Sequence, residues 1–259
     1  MSSKIPLNNR LIVALDTDSP QCALDLVERL RERVSIFKVG LQLFLAGGTD
    51  IIATLKRNGI NIFLDLKFHD IPATVAKASI EAVKLGVDMF TLHASGGLNM
   101  MKASLEACDS FCQKGSKLMP QILAVTALTS HDEMILHKEL DIHLPLDQYS
   151  LHMTKLALTA GLHGAIISVG EVSLLRHQVP AGFLLITPGI RSSGESIHDQ
   201  RRVATPQEAI RLGADYLVVG RPILEASDPI QAADKILEDI RRSGLPESRH
   251  INPSSNPEY

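Results

Sequence analysis

The sequence has no tryptophan and only three tyrosines among 259 residues. That leaves little material for a recognition surface built on aromatic side chains. Its three cysteines, Cys22, Cys108 and Cys112, are an odd number at no metal-ligand spacing, a pattern suited to a reducing cytoplasm. Cys108 and Cys112 lie one helical turn apart and read as a pair of buried thiols. Net charge is also scarce: the formal value of −3 gives no field for nucleic acid, so any anionic ligand must be held by local positive groups. Long apolar runs are missing. The opening Met1–Pro6 has no signal-peptide core, and no window approaches a membrane span.

What is present is an ordinary globular composition, 45% hydrophobic and 21% charged, with ample material for a core. Eight short apolar runs read as buried strands: Leu11–Leu15, Ser35–Gly40, Ile60–Leu64, Gly86–His93, Pro120–Thr126, Gly164–Ser168, Phe183–Thr187 and Asp215–Gly220. Amphipathic helical segments alternate with them. One is opened by Ser19 as N-cap with Pro20 at its first position, and one spans Thr49–Arg57 and closes at Asn58–Gly59. Others start at Pro72 and run from Asn99 to Cys112. A further helix carries Met153, Leu156, Ala157 and Ala160, and Arg221–Pro222 opens the last one. No glycine fingerprint follows the first strand, which counts against a doubly wound sheet. The pattern predicts a single-domain (β/α)8 TIM barrel over residues 1–242, with a flexible tail over 243–259 whose Pro, Ser and Asn cannot bury a face.

The run Phe63-Leu64-Asp65-Leu66-Lys67-Phe68-His69-Asp70-Ile71-Pro72 is where chemistry concentrates. Alternation along an extended strand puts Asp65 and Lys67 on one side, and Asp70 follows within a turn. Most Asp/Lys neighbours are surface ion pairs of little consequence. Here the charges emerge from an apolar strand, where burying ions is costly unless they serve a purpose. Asp16, Lys38, Thr129 and Arg221 likewise fall in or just after strand ends, the catalytic mouth of such a barrel. Gly189, Gly194, Gly220, Arg191 and Arg221 after the seventh and eighth strands form a candidate phosphate cradle. Gln200, in the long seventh loop, could close over it. His69 is not expected to take part in the chemistry directly, because a largely neutral imidazole is a poorer cation than Lys67, and His93 is expected to buttress the mouth by hydrogen bonding.

Assembled, these residues resemble the orotidine 5′-phosphate decarboxylase family. The resemblance rests on Asp65-Leu66-Lys67-Phe68-His69-Asp70-Ile71-Pro72, Ala14-Leu15-Asp16, Phe37-Lys38-Val39-Gly40, Val125–Ser130, Thr187-Pro188-Gly189-Ile190-Arg191 and Val218-Val219-Gly220-Arg221-Pro222. It covers about Leu11 to Arg241. Ala73 departs from the Asn that many bacterial members carry there, which touches only loop geometry. The resemblance implies conversion of orotidine 5′-monophosphate to uridine 5′-monophosphate and CO₂ without metal or organic cofactor. It implies catalytic roles for Lys67, Asp65, Asp70 and Lys38, and contacts to substrate from Asp16, Ile71, Thr74, Thr129, Pro188, Arg191, Gln200, Gly220 and Arg221. It also implies a homodimer in which Asp70 completes the partner's site. Two alternatives are a Mg²⁺-dependent phosphosugar decarboxylase or aldolase of the same barrel type and a non-catalytic barrel. The first would need a metal-ligand acid where the second strand offers Lys38 and Gln42.

Overall fold

The computed structural model describes residues 5–6, 9–190 and 204–244. Its eight strands are β1 Leu11–Ala14, β2 Ile36–Gly40, β3 Asn61–Phe68, β4 Met89–His93, β5 Gln121–Val125, β6 Gly164–Ile166, β7 Leu184–Pro188 and β8 Tyr216–Val219. All neighbours pair in parallel, and β8 returns to β1 to close the barrel in sequence order. The strands are largely apolar because both faces are covered, with the charges Lys38 on β2 and Asp65 and Lys67 near the end of β3 as exceptions. On β1, Ile12 and Ala14 turn into the barrel, beside Phe63, Met89, Leu123, Ile186 and Tyr216. Leu11 and Val13 turn outward into the larger core beneath the helices.

The helices are α1 Pro20–Leu30, α2 Leu41–Arg57, α3 Pro72–Leu85, α4 Leu98–Gly115, α5 Leu146–Thr159, α6 Val169–Arg176, α7 Pro206–Leu212, α8 Arg221–Leu224 and α9 Pro229–Arg241. Ser19 caps α1 as expected, accepting from the Cys22 N–H at 3.2 Å. The helix expected from Thr49 in fact begins at Leu41. It bends at Gly48, whose φ of 58° and ψ of −151° are non-helical, so the break read as a start is a kink. Arg221–Pro222 opens only the four-residue α8. The last helix begins at Pro229, where Asp228 accepts from Ile230 N at 2.9 Å.

Cys108 and Cys112 are buried and free, and burial pushes the Cys108 thiol up to about 12. Among the described residues no helix is long and apolar enough to cross a membrane. Of the predicted tail, only Ser243 and Gly244 belong to the described residues.

Candidate active site

Period-two alternation delivers the charges to one place. Lys38 stands in register between Ala14 of β1 and Phe63 of β3, so it points inward with those two side chains. Asp65 lies two residues beyond Phe63 and opposite Gly40. The result is a row across three neighbouring strand ends. Asp16 Oδ1 accepts from Lys38 Nζ at 2.8 Å, Lys38 Nζ stands 3.8 Å from Asp65 Oδ2, and the same oxygen accepts from Lys67 Nζ at 2.9 Å. The Lys38 and Asp65 side chains retain only 11% and 14% of their exposure. Burial alone would push the Asp65 carboxyl up. The Lys38 and Lys67 charges, with hydrogen bonds from Lys67 and Thr91, more than reverse this and hold it below its ordinary value.

The expectation of a plain extended strand at Lys67 is corrected. Lys67 has φ +53°, a left-handed conformation rare for a non-glycine residue. The pairing with β4 slips there: Leu64 faces Phe90 and Phe68 faces Leu92, four steps on β3 against two on β4. A bulge of this kind re-aims side chains at a barrel rim. Both Asp65 and Lys67 still line the mouth.

The mouth is a cavity of about 480 Å³, a size suited to a small-molecule ligand. Asp16, Lys38, Asp65, Lys67, Thr129, Pro188, Gly189, Gly220 and Arg221 line it. Phe63, Val125, Ile166 and Val218 give it apolar walls. Gly220 leaves the approach tight, since a Cβ there would stand 3.2 Å from Asp16 Oδ2 and the carboxylate would have to give by a few tenths of an ångström. Gly189 takes φ +80°, which glycine adopts without penalty.

Three predicted residues do not reach this cavity. Asp70, Ile71 and Thr74 are exposed, and the Asp70 carboxylate accepts the Ile71 N–H at 2.6 Å. Among the described residues no ion pair joins Asp70 to Lys67, so the expected bracket of two carboxylates is not closed within one chain. The turn after β3 carries Asp70 away from its own mouth. Arg191, Gly194 and Gln200 lie outside the described residues.

His69 and His93 stack with ring centroids 5.1 Å apart. Burial, then the neighbouring His69 and Lys67, lower His93 to about 4, with Asp65 opposing. Two residues escaped the sequence reading. Thr91, the inward neighbour of His93 on β4, was detectable as a polar residue at period two. Glu225 lines the cavity one helical turn beyond Arg221, a spacing that could have flagged it. Among the described residues no three His, Cys, Asp or Glu side chains are placed to share a metal ion.

A parallel eight-stranded barrel with an alternating acid–lysine row at the carboxyl ends of its strands belongs to the barrel enzymes that work at this mouth. Residues 9–236 match the model of the orotidine 5′-phosphate decarboxylase / HUMPS family, and the chain belongs to that family. It is 44% identical over 236 residues to orotidine 5′-phosphate decarboxylase of Syntrophotalea carbinolica, covering 91% of this chain and 96% of the relative. The same-named protein of Gloeothece citriformis is 45% identical over 90% of this chain and 98% of its own. Among solved structures, orotidine 5′-phosphate decarboxylase from Lactobacillus acidophilus superposes with a TM-score of 0.79 at 37% identity, over 90% of this chain and 99% of that one.

Proposed function

We infer that the protein decarboxylates orotidine 5′-monophosphate to uridine 5′-monophosphate and CO₂, a step of pyrimidine biosynthesis. The observation that carries this reading is the Asp16–Lys38–Asp65–Lys67 row in a mouth that is also lined by Gly189, Gly220 and Arg221. Loss of CO₂ leaves an electron pair on a ring carbon, and no cofactor is expected to spread that charge. The Lys67 ammonium meets both needs: it stabilises the carbanion as it forms and then protonates it. Asp65 fixes Lys67 and stands near the departing carboxylate. Lys38 bridges Asp65 and the ribose, with Asp16 at the ribose hydroxyls and Thr129 at the pyrimidine edge. Pro188, Gly220 and Arg221 hold the phosphate together with Arg191 and Gln200. Binding energy at that remote end helps to order the reacting end.

The active form in this reading is a two-fold dimer, in which Asp70, Ile71 and Thr74 serve the partner's mouth. Their exposure supports it, as does the apolar character of Leu41 and Leu45 in the first turns of α2 and of Ile71 just before α3, which are 55%, 81% and 66% exposed. The three free thiols fit work in the cytoplasm.

The test follows the orotate ultraviolet band with orotidine 5′-monophosphate in the presence of a chelator. Wild type should consume the substrate, and Lys67→Ala should lose turnover while keeping its unfolding midpoint. A variant retaining more than about a tenth of wild-type kcat, only about 1.4 kcal/mol of barrier, would remove Lys67 from the acid role. A chelator-sensitive wild type would favour the Mg²⁺-dependent alternative.

A further inference from the structure

The slipped pairing between β3 and β4 leaves a backbone question: what receives the Lys67 N–H where the ladder is interrupted? Thr91 answers it. Its hydroxyl oxygen accepts from Lys67 N at 2.9 Å and donates to Asp65 Oδ1, also at 2.9 Å. Thr91 is fully buried and sits on β4 between the two residues, Phe90 and Leu92, that bracket the slip. One hydroxyl therefore ties together the left-handed backbone of Lys67 and the carboxylate that holds the Lys67 side chain. With Oδ1 engaged by Thr91, Oδ2 is left facing Lys67 and Lys38.

We propose that Thr91 is a positioning residue for the decarboxylation, fixing the Asp65 carboxylate and the Lys67 backbone relative to each other so that the ammonium is aimed into the cavity. Thr91 does not line that cavity itself; it acts through Asp65 and Lys67. The idea rests on the activity inferred above only for its kinetic consequence. Its geometric content concerns this chain alone.

Thr91→Val keeps the β-branched shape and removes the hydroxyl, whereas Thr91→Ser keeps the hydroxyl and removes a methyl group. Three quantities decide the matter: kcat on orotidine 5′-monophosphate, the inhibition constant of uridine 5′-monophosphate, and the Asp65 carboxyl titration followed by ¹³C NMR. The product lacks the departing carboxylate, so its affinity reports the ribose and phosphate contacts without the reacting end. Thr91→Val should lower kcat at least tenfold while product affinity changes less than about twofold, and Thr91→Ser should restore kcat to within about threefold of wild type. The Asp65 titration should move to higher pH in Thr91→Val, because a hydrogen bond to the ionised form is lost. The groups facing Asp65 in that measurement are Lys67 on its own strand, Lys38 on β2 and His93 on β4, with Asp16 reaching it through Lys38.

A kcat within twofold of wild type in Thr91→Val overturns the proposal. So does a loss of kcat matched by an equal loss of product affinity, or one that serine fails to rescue, since those mark a general structural defect. An unchanged Asp65 titration overturns it as well, and this arm needs no turnover. Should wild type fail to consume orotidine 5′-monophosphate, the inferred activity falls and the kinetic role of Thr91 falls with it. The titration would still decide whether the hydroxyl holds Asp65.

Discussion

His93 and Asp65 are within electrostatic reach of each other, and both favour the folded state less as pH falls, though in different pH ranges. His93 is lowered from its ordinary 6.5 to about 4, first by burial and then by the cations around it. Below pH 6.5 the unfolded chain binds a proton at His93 that the folded chain refuses. Stability therefore falls as pH drops from 6.5 and levels off only near 4, where the folded form also protonates. Asp65 has a depressed folded pKa. Its contribution is present above the ordinary 3.8 and is lost as pH falls through the lower folded value. Of the two, only His93 changes between pH 7 and 5. His93→Gln should therefore lose less of its urea midpoint over that interval than wild type does. Equal losses in the two proteins would mean that His93 is not held neutral by the fold. His163, also lowered by burial, is present in both and cancels from the comparison.

Elements were legible in the sequence where burial is uniform, and illegible where the backbone departs from its ideal. Strands packed on both faces show as largely apolar runs, so all eight could be located, with boundaries off by at most three residues except at the end of β3, which runs four residues further, to Phe68. The charged row was legible for the same reason: Lys38 and Asp65 interrupt such runs at inward-facing positions. The first half of α2 was hidden by the Gly47–Gly48 pair, which reads as a terminator but forms a kink. The left-handed turn of Lys67 had no local signal, because nothing in Leu66-Lys67-Phe68 asks for positive φ; the slip against β4 imposes it. The last helix was placed too early for want of its cap. Asp228 accepts from Ile230 N at 2.9 Å and Gln231 N at 3.4 Å, and Pro229 follows at the first helical position. Asp228→Ala should cost about 1 kcal/mol, as N-cap removals do, with kcat unchanged because α9 lies outside the cavity lining. A thermal midpoint lower by about 2–4 °C is expected for a domain of this size. An unshifted midpoint would deny the cap any net role, and a large loss of activity would mean that α9 reaches the mouth.

At the scale of the whole molecule, one chain does not complete the charge array. Asp70 is exposed beside an exposed Ile71, and in the dimer proposed above the carboxylate that the motif places next to Lys67 comes from a second copy across a two-fold axis. This can be tested with two inactive proteins. Lys67→Ala and Asp70→Ala should each be inactive alone, because every mouth of either dimer lacks one member of the pair. In a mixed dimer one mouth inherits both lesions. The other combines an intact Lys67 from one chain with an intact Asp70 from its partner. Random reassortment makes half of all dimers mixed, so about a quarter of all mouths become wild type. Dissociating, mixing and reassociating the two variants should therefore restore roughly a quarter of wild-type activity. The dissociated-and-reassociated wild type gives the reference, and differently tagged chains recovered together show that exchange has taken place. If exchange is complete and activity stays at the level of the separate variants, Asp70 acts within its own chain. The exposed turn after β3 would then have to fold back over its own mouth to reach Lys67.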